Sequence, residues 1–385
     1  MLKSIVPLLL IASTAQAADT VRIYNWSSYI APDTLQNFTT HTGHPTQYDL
    51  YDSNEVLDAK LMAGRSGYDV VFPSNHFMAR QIKAGALKPL DRSKLPNWQN
   101  LNPTLMKVLE ANDPGNRYGF PYLWGSTGIG YNVAKVKAVL GDVPIDSWDI
   151  IFKPENMKKL ARCGVAMLDN GPEILPIALN YLGLGHHSKD KADYEKAQAL
   201  LLKVRPYVNY FHNSKYTSDL ATGDVCLVVG FSGDVMQAAA RANEAGNGQQ
   251  IAYAIPKEGS PMWFDMVAMP ADAPNEAAGY AFLNYLLDPN VMADISNHVH
   301  YANGNAAAEG MVDKAILNDP MVYPPESVMK KLFVLEAMPL ETDRLRTRVW
   351  SRVKKRAIKS IVDDAGSPDH RRQVLGAKAC LTLAP

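Results

Sequence analysis

Residues 21–43 read "VRIYNWSSYIAPDTLQNFTTHTG" and join a β-rich run to a helical pattern. Pro32 lies near the first turn of the predicted helix and Gly43 lies just past its end, positions that these residue types favour. The same order follows twice more, in "TQYDLYD" with "SNEVLDAKLMAG" and in "YDVVFPS" with "NHFMARQIKAG". This order predicts a mainly parallel sheet with helices on both faces.

A second set of strands and helices follows the run "RYGFPYLWGSTGIGYN" at residues 117–132. It consists of "GVAMLD" with "PEILPIALNYLG" and of "DVCLVVGFSG" with "DVMQAAARANEAG". A chain of 385 residues is long enough for two lobes. We therefore predict two similar α/β lobes, with the strand-like stretch "IAYAIPKEGSPMWFDMVAMP" as a candidate for the return to the first.

The first residues, "MLKSIVPLLLIASTAQAADT", have the pattern of a cleaved signal peptide. Lys3 supplies a positive charge, Ile5 to Ala12 form a short apolar run, and Ala15-Gln16-Ala17 matches a cleavage signature. The apolar run is too short to span a bilayer. We expect residues 1–17 to be removed and the mature chain to be soluble and exported.

The net charge and the positions of the cysteines limit the possible classes of function and partner. The chain has 39 Lys and Arg residues and 39 Asp and Glu residues, so its formal net charge is zero and gives no indication of a nucleic-acid partner. Cys163 and Cys226 precede or lie in strand-like stretches, and in an oxidising compartment they could form a bridge. Two buried free thiols are the alternative, and Cys380 in the tail is expected to be unpaired.

The familiar enzyme motifs are incomplete in this chain. "GFSGDV" lacks the second glycine that a nucleophile elbow requires, and "GSTGIGYN" matches neither a dinucleotide fingerprint nor a P-loop. The nine histidines have no zinc-binding spacing. We therefore predict no catalytic residues, no metal site and no cofactor.

One combination recurs after predicted strands: an aromatic ring near a hydroxyl or a carboxylate. It involves Trp26-Ser27-Ser28-Tyr29, Pro73-Ser74, Phe231-Ser232-Gly233-Asp234, Trp263-Phe264-Asp265 and Tyr301-Ala302-Asn303. Any one of these rings could simply pack in the core. Ligands of open α/β sheets bind outside the carboxyl ends of strands, so two lobes would enclose these groups in a cleft. Aromatic faces and carboxylates together suit a cationic ligand with aliphatic parts.

Several stretches resemble the periplasmic polyamine-binding proteins of ABC importers, and the putrescine-binding branch in particular. They are "IYNWSSYIAPDT", "YDSNEVLDAKLMAG", "GSTGIGYN", "DSWDIIFKPEN", "LNYLG", "IPKEG", "FDMVAMPADA", "FLNYLLDP" and "DRLRTRVW". The match extends from about Thr20 to Lys355. The resemblance implies a two-lobed type II periplasmic binding fold of the α/β class, with the ligand cleft between the lobes, and a Cys163–Cys226 disulfide.

The resemblance also implies a division of the chain and a set of partners. We expect residues 18–124 and 247–305 in one lobe, residues 125–246 and 306–355 in the other, and residues 356–385 as a poorly ordered tail. The implied protein is a periplasmic monomer that binds a small cationic amine and docks on a permease in the inner membrane.

Position by position, the resemblance assigns ligand-facing roles to residues of both lobes. They are Trp26, Ser27, Tyr29, Ser74, Trp263, Asp265 and Tyr301, with Glu173 and Asp234 as carboxylates from the second lobe. Ser28 and Phe231 belong to the same set but depart from the aspartate and tryptophan of the putrescine branch. Trp263 replaces a phenylalanine, and His76 replaces a serine. The ligand could therefore be putrescine, spermidine, agmatine or an acylated putrescine.

Two other classes of function are compatible with the same fold. An enzyme such as a thiamin-degrading protein would need a cysteine nucleophile in the cleft, which a Cys163–Cys226 bridge would remove. A sensor or adhesin would keep the cleft and pass the state of the ligand to a partner other than a permease.

Overall fold

The computed structural model of the protein describes the backbone of residues 18–364 and the side chains of residues 18–355. The predicted signal peptide, residues 1–17, lies outside the described residues, as do Cys380 and the rest of residues 365–385.

The first three predicted strands and helices are present. β1 (Val21–Trp26) pairs in parallel with both β2 (Thr46–Tyr51) and β3 (Val70–Val71), as the order of the sequence predicted. The helices α1 (Thr34–Thr42), α2 (Asn54–Met62) and α3 (Asn75–Lys83) follow these strands. Gly43 ends α1 with a left-handed φ of 77°, and the Ser53 hydroxyl caps α2 by accepting a bond from the amide of Val56.

The rest of the chain continues this α/β arrangement. The elements are α4 (Pro103–Leu109), β4 (Gly119–Asn132), α5 (Val133–Leu140), α6 (Asp149–Phe152), α7 (Pro154–Leu160), β5 (Val165–Met167), α8 (Gly171–Tyr181), α9 (Lys191–Val204), β6 (Tyr210–Phe211), α10 (Lys215–Thr222), β7 (Leu227–Phe231), α11 (Ser232–Ala245), β8 (Ile251–Ala254), β9 (Ser260–Ala268), α12 (Glu276–Leu286), α13 (Pro289–Val299), β10 (Ala302–Asn303), α14 (Lys314–Leu317), α15 (Glu326–Met329), β11 (Leu332–Val334) and α16 (Leu340–Asp364). Short 3-10 helices occupy Arg92–Lys94, Pro96–Asn100, Arg205–Tyr207 and Ala306–Met311.

A single long strand, β4, connects two halves of the sheet, whose order is β2-β1-β3-β9-β4-β7-β5-β6. Up to Ser126 it pairs antiparallel with β9, and from Thr127 it pairs antiparallel with β7. The last residues of β4 also pair with β8. Because β4 changes partners midway, it carries the chain from one half to the other.

The buried apolar side chains form two separate cores. One core draws on residues 21–124 and 262–335, and we call this part lobe 1. The other draws on residues 129–253 and 349–353, and we call it lobe 2. The chain therefore passes between the lobes three times: within β4, between β8 and β9, and between β11 and α16.

Two of these crossings lie elsewhere than at the expected residues 247 and 306. β8 pairs with the lobe 2 half of β4 and Tyr253 is buried in that core, so the chain stays in lobe 2 until after β8. Ala308 and Phe333 are buried in the core of lobe 1, where β11 extends the sheet beside β9. Backbone pairing along β4 and β9 thus determines where each segment belongs.

The last helix differs from the expected tail. α16 packs against α8 and α9 of lobe 2 and places Val349, Trp350 and Val353 in that core. Its backbone remains helical to Asp364, past residue 355, where the poorly ordered segment was expected to begin. None of the helices in the described residues combines the length and the apolar composition needed to span a bilayer.

The Cys163–Cys226 disulfide is present, which confirms the predicted pairing. Cys163 lies just before β5 and Cys226 lies just before β7, two strands that pair in parallel. The bridge therefore ties together the starts of two neighbouring strands of lobe 2 that are 63 residues apart in sequence.

Replacing Cys163 and Cys226 together by alanine is expected to lower the free energy of unfolding by about 2–5 kcal/mol, because the open chain gains conformational freedom in its unfolded state. Urea denaturation of the wild type and the double variant measures this difference. A reductant should destabilise the wild type and leave the double variant unchanged. An equal response of both proteins to the reductant would contradict the prediction.

Candidate functional site

A cavity of about 60 Å³ lies between the two lobes, and we call it the cage. Its lining includes all of the predicted ligand-facing residues except Ser28: Trp26, Ser27, Tyr29, Ser74, Glu173, Phe231, Asp234, Trp263, Asp265 and Tyr301. Tyr51, Asp52, Asn54, Asn170, Asn213 and Ser214 complete the lining. Most of these residues end a strand or begin the helix that follows, which is why the fold brings them together.

Ser28 lies outside the cage. Its side chain is exposed, and its φ of 55° places it in the left-handed region, within the turn that follows β1. This turn directs Ser27 and Tyr29 to the lining, with Ser28 between them on the outside. Ser28 is therefore the one predicted ligand-facing residue that does not line the cage.

Asp265 is the carboxylate of lobe 1. The Ser74 hydroxyl donates to Asp265 Oδ1 at 2.6 Å, and the Asn54 amide donates to Ser74 Oγ at 2.8 Å. Asp265 is 5% exposed. Burial raises its pKa to about 7, while the hydrogen bond from Ser74 acts in the opposite direction. The hydrogen bonds thus fix the position of the Asp265 carboxylate, but the groups that donate them bring no positive charge to it.

Asp234 joins the two lobes. It lies in the first turn of α11 in lobe 2, and its Oδ1 accepts a hydrogen bond of 2.8 Å from the hydroxyl of Tyr301 in lobe 1. The Tyr216 hydroxyl donates to the other oxygen at 2.7 Å. The Asp234 amide also donates to Tyr301 Oη at 3.1 Å. Burial raises the pKa of Asp234, and the two tyrosine hydroxyls lower it. Because the two hydrogen bonds between Asp234 and Tyr301 cross the cleft, the lobes are in a closed arrangement.

Glu173 is the third carboxylate, in the first turn of α8. Thr127 on β4 donates to Glu173 Oε2 at 2.7 Å. The side chain is 3% exposed, and burial raises its pKa to about 7. The negative charge of Asp265 acts in the same direction, whereas the charge of Arg346 lowers the pKa.

Aromatic rings form the walls between these carboxylates. Trp263 meets Phe231 and Tyr301 edge to face, each at a centroid distance of 5.4 Å. Tyr29 meets Tyr301 in the same way at 5.3 Å, and Trp26 packs on Tyr51 at 4.5 Å. The Trp26 indole donates to the carbonyl of Phe72 at 2.8 Å, which fixes its ring. Aromatic faces attract ammonium groups and cover methylene groups.

Some contributors were missed by the sequence analysis. Tyr51 and Asp52 also follow a strand, β2, so the same signal could have identified them. Tyr216 lies within α10, donates to Asp234 and accepts from the amide of Phe231, and no pattern in the sequence reveals these contacts. Within the described residues, no cluster of three potential ligands for a metal ion is present.

The chain belongs to the family of bacterial extracellular solute-binding proteins, whose pattern matches residues 35–321. This family is defined by the binding of solutes and not by an enzymatic activity.

The putrescine-binding periplasmic protein SpuD of Pseudomonas aeruginosa is 56% identical over 347 residues, covering 89% of this chain and 95% of that protein. A putrescine/agmatine-binding protein of Pseudomonas aeruginosa is 51% identical over 345 residues, covering 89% and 94%. The solved structure of the spermidine/putrescine ABC transporter substrate-binding protein PotD from Streptococcus pneumoniae superposes with a TM-score of 0.72 at 29% identity, covering 88% of this chain and 99% of that one. The family resemblance and the two-lobed fold class inferred from the sequence are confirmed.

Gly233→Ala is expected to weaken ligand binding without destabilising the open protein. A β-carbon at this position would lie 2.4 Å from ring carbons of Tyr301, so it obstructs the closed arrangement. Alanine in α11 itself favours the helix by up to about 1 kcal/mol. Calorimetric titration and thermal melting of the ligand-free variant measure the two effects. A variant with lower stability and unchanged affinity would contradict this account.

The ligand-free protein is expected to lose stability as the pH rises from about 4 through 7. The pKa values of Asp265 and Glu173 are raised to about 7, so the folded state holds these protons more tightly than the unfolded state does. Melting temperatures of the wild type and Asp265→Asn between pH 5 and pH 8 measure the effect. The variant should show a smaller fall, and an identical pH profile for both proteins would contradict the assignment.

Proposed function

We propose that this protein captures a polyamine in the periplasm and delivers it to the permease of an ABC importer. The ligand would be putrescine, spermidine or a related amine. The observation that carries the proposal is the cage itself, in which three carboxylates face an aromatic cavity with hydroxyl groups as their partners. Such a site lacks the positive charge that an ammonium group would bring.

The relatives support this choice of ligand class. SpuD is named for putrescine, and the second relative is named for putrescine and agmatine. Agmatine is therefore a specific alternative, since its guanidinium group can form paired hydrogen bonds with a carboxylate.

The site also supports a mechanism of capture. Hinge closure around a ligand is a known behaviour of periplasmic binding proteins. Here the Tyr301–Asp234 bond forms only when the lobes meet, so a ligand that neutralises Asp234 and Asp265 favours the closed state. Closure would create the surface that a permease recognises. Both walls of the cage come from one chain, so we infer that the monomer is the binding unit.

Export would follow from the N-terminal signal sequence, and the polyamine would then be bound outside the inner membrane. A sensor would bind its ligand in the same cage but would report to a partner other than a permease. Delivery to a permease therefore distinguishes transport from sensing. Transport measured in membrane vesicles that contain the cognate permease tests delivery separately from binding.

Asp265→Asn and Asp234→Asn are each expected to weaken amine binding about 10- to 100-fold, because each removes a charge-assisted hydrogen bond to the ammonium group. Asp142→Asn is the matched control, since Asp142 lies on the surface and its side chain is 89% exposed. Calorimetric titration with putrescine, spermidine and agmatine gives the affinities.

A panel that also contains sugars and acidic amino acids tests the ligand class by thermal shift, since a bound ligand raises the melting temperature. A shift with a sugar or an acidic amino acid, and with no amine, would refute polyamine capture.

A further inference from the structure

A second and larger cavity lies beside the cage, and we call it the chamber. Its volume is about 510 Å³, against about 60 Å³ for the cage. Asp52 and Asn213 line both cavities, so the cage and the chamber adjoin at these two residues, and we call this place the junction. A ligand longer than the cage would extend past the junction into the chamber.

The junction is built from both lobes. Asp52 follows β2 of lobe 1, and Asn213 lies between β6 and α10 of lobe 2. The Nδ2 of Asn213 donates to the backbone carbonyl of Asp52 at 3.1 Å, which fixes the orientation of the amide. The other polar atom of this side chain, Oδ1, is buried and accepts from no donor within the described residues. A buried acceptor without a donor is unfavourable.

Two carboxylates at this side of the chamber are also without a partner. Asp52 and Glu55 both line the chamber and are exposed, and within the part of the chain that the structure describes neither belongs to an ion pair. Carboxylates form charge-assisted hydrogen bonds with N⁺–H donors, and an ammonium group has only donors. The two carboxylates and the amide oxygen of Asn213 therefore suit an ammonium group.

The other charges that line the chamber are paired. Lys354 lies 2.6 Å from Asp169, and Arg346 lies 3.6 Å from Asp343. The guanidinium of Arg80 also lies 3.6 Å from Asp343. These pairs leave the uncompensated negative charge of the chamber on the side of Asp52, where the chamber meets the cage.

The number of carboxylates around the cage points to a ligand with more than two charges. The lining contains four of them, namely Asp234, Asp265 and Glu173 with Asp52 at the junction. A diamine carries two positive charges, and the carboxylates inside the cage are sufficient to bind both. A third ammonium group would compensate negative charge that a diamine leaves unpaired.

We propose that the junction is a further ammonium site, and that the ligand is a polyamine with at least three amine groups. Two of its ammonium groups pair with carboxylates of the cage. The third lies at the junction, where it donates to the carboxylate of Asp52 and to Asn213 Oδ1, and Glu55 attracts it from the chamber. This inference rests on the proposed function, since the first two ammonium groups occupy the cage. Because both lobes form the junction, the third ammonium group also favours closure.

Calorimetric titration of the mature protein, freed of bound ligand, tests the proposal with putrescine, spermidine and N-propylputrescine. The last compound has nearly the length of spermidine but lacks one terminal ammonium group. We expect spermidine to bind about tenfold or more tightly than either of the others, because it alone supplies a charge for the junction. Equal affinities for spermidine and N-propylputrescine would show that the protein recognises the added length and not the added charge, and would overturn the proposal.

Variants locate the third ammonium group. Asp52→Asn keeps the shape of the side chain and removes its charge, so we expect the affinity for spermidine to fall about five- to tenfold and the affinity for putrescine to stay within about twofold. Glu55→Gln should cause a smaller loss with the same preference. Glu336→Gln is the matched control and should change neither affinity. Glu336 is also an exposed carboxylate of the chamber, but it lies outside the cage lining and 3.4 Å from His187.

The outcomes separate this inference from the proposed function. Putrescine binding that equals or exceeds spermidine binding overturns the inference and leaves polyamine capture in place. Asp52→Asn also overturns it if both ligands lose affinity equally, if neither does, or if Glu336→Gln causes the same loss. If none of the three amines binds to the wild type, the proposed function itself fails.

Discussion

The arrangement of the site depends on the hydrogen bond between Tyr301 and Asp234. It is a contact between the two lobes, and it joins a ring of the cage wall to one of the three cage carboxylates. Burial disfavours ionised carboxylates, as the raised pKa values of Asp234, Asp265 and Glu173 indicate. Hydroxyl donors offset part of this cost but bring no positive charge. The closed site is therefore suited to a bound cation. Its positive charge would offset the cost of bringing the lobes and their buried carboxylates together.

The fold brings the two lobes together at the site because one strand, β4, belongs to both of them. Because β4 pairs with β9 up to Ser126 and with β7 from Thr127, the ends of strands from both lobes meet at its middle. A β-carbon on Gly233 would overlap the ring of Tyr301, so the close approach of the lobes requires glycine at this position. The residues that line the cage are thus positioned by strands and by the first turns of helices.

Much of this site could be predicted from the sequence, because strand ends carry a local signal. An aromatic next to a hydroxyl or carboxylate led to Trp26 and Ser74, which line the cage at the ends of strands, whereas Asp265 lines it from the middle of β9. The position of Ser28 could not be predicted, since a left-handed turn residue decides which of two neighbouring serines faces inward. Tyr216 and Arg346 reach residues of the cage or their neighbours from other helices, and such tertiary contacts leave no periodic pattern in the sequence.

The sequence analysis assigned the segment between residues 306 and 335 to lobe 2, whereas it belongs to lobe 1. The helices of this segment are short, and its pairing with β9 depends on tertiary contacts that leave no local signal in the sequence.

The late return of α16 to lobe 2 has a consequence for how the chain becomes folded. Trp350 packs against Gly171, and its indole donates to Asp169, 181 residues earlier in the sequence. The core of lobe 1 likewise includes Phe333 and Leu335, which come late in the sequence. Because synthesis starts at the N-terminus, neither lobe can complete its core until almost the whole chain has been made. Contacts of such high sequence separation slow folding. If the chain is exported as proposed, its lobes would complete their folding only after it has crossed the membrane.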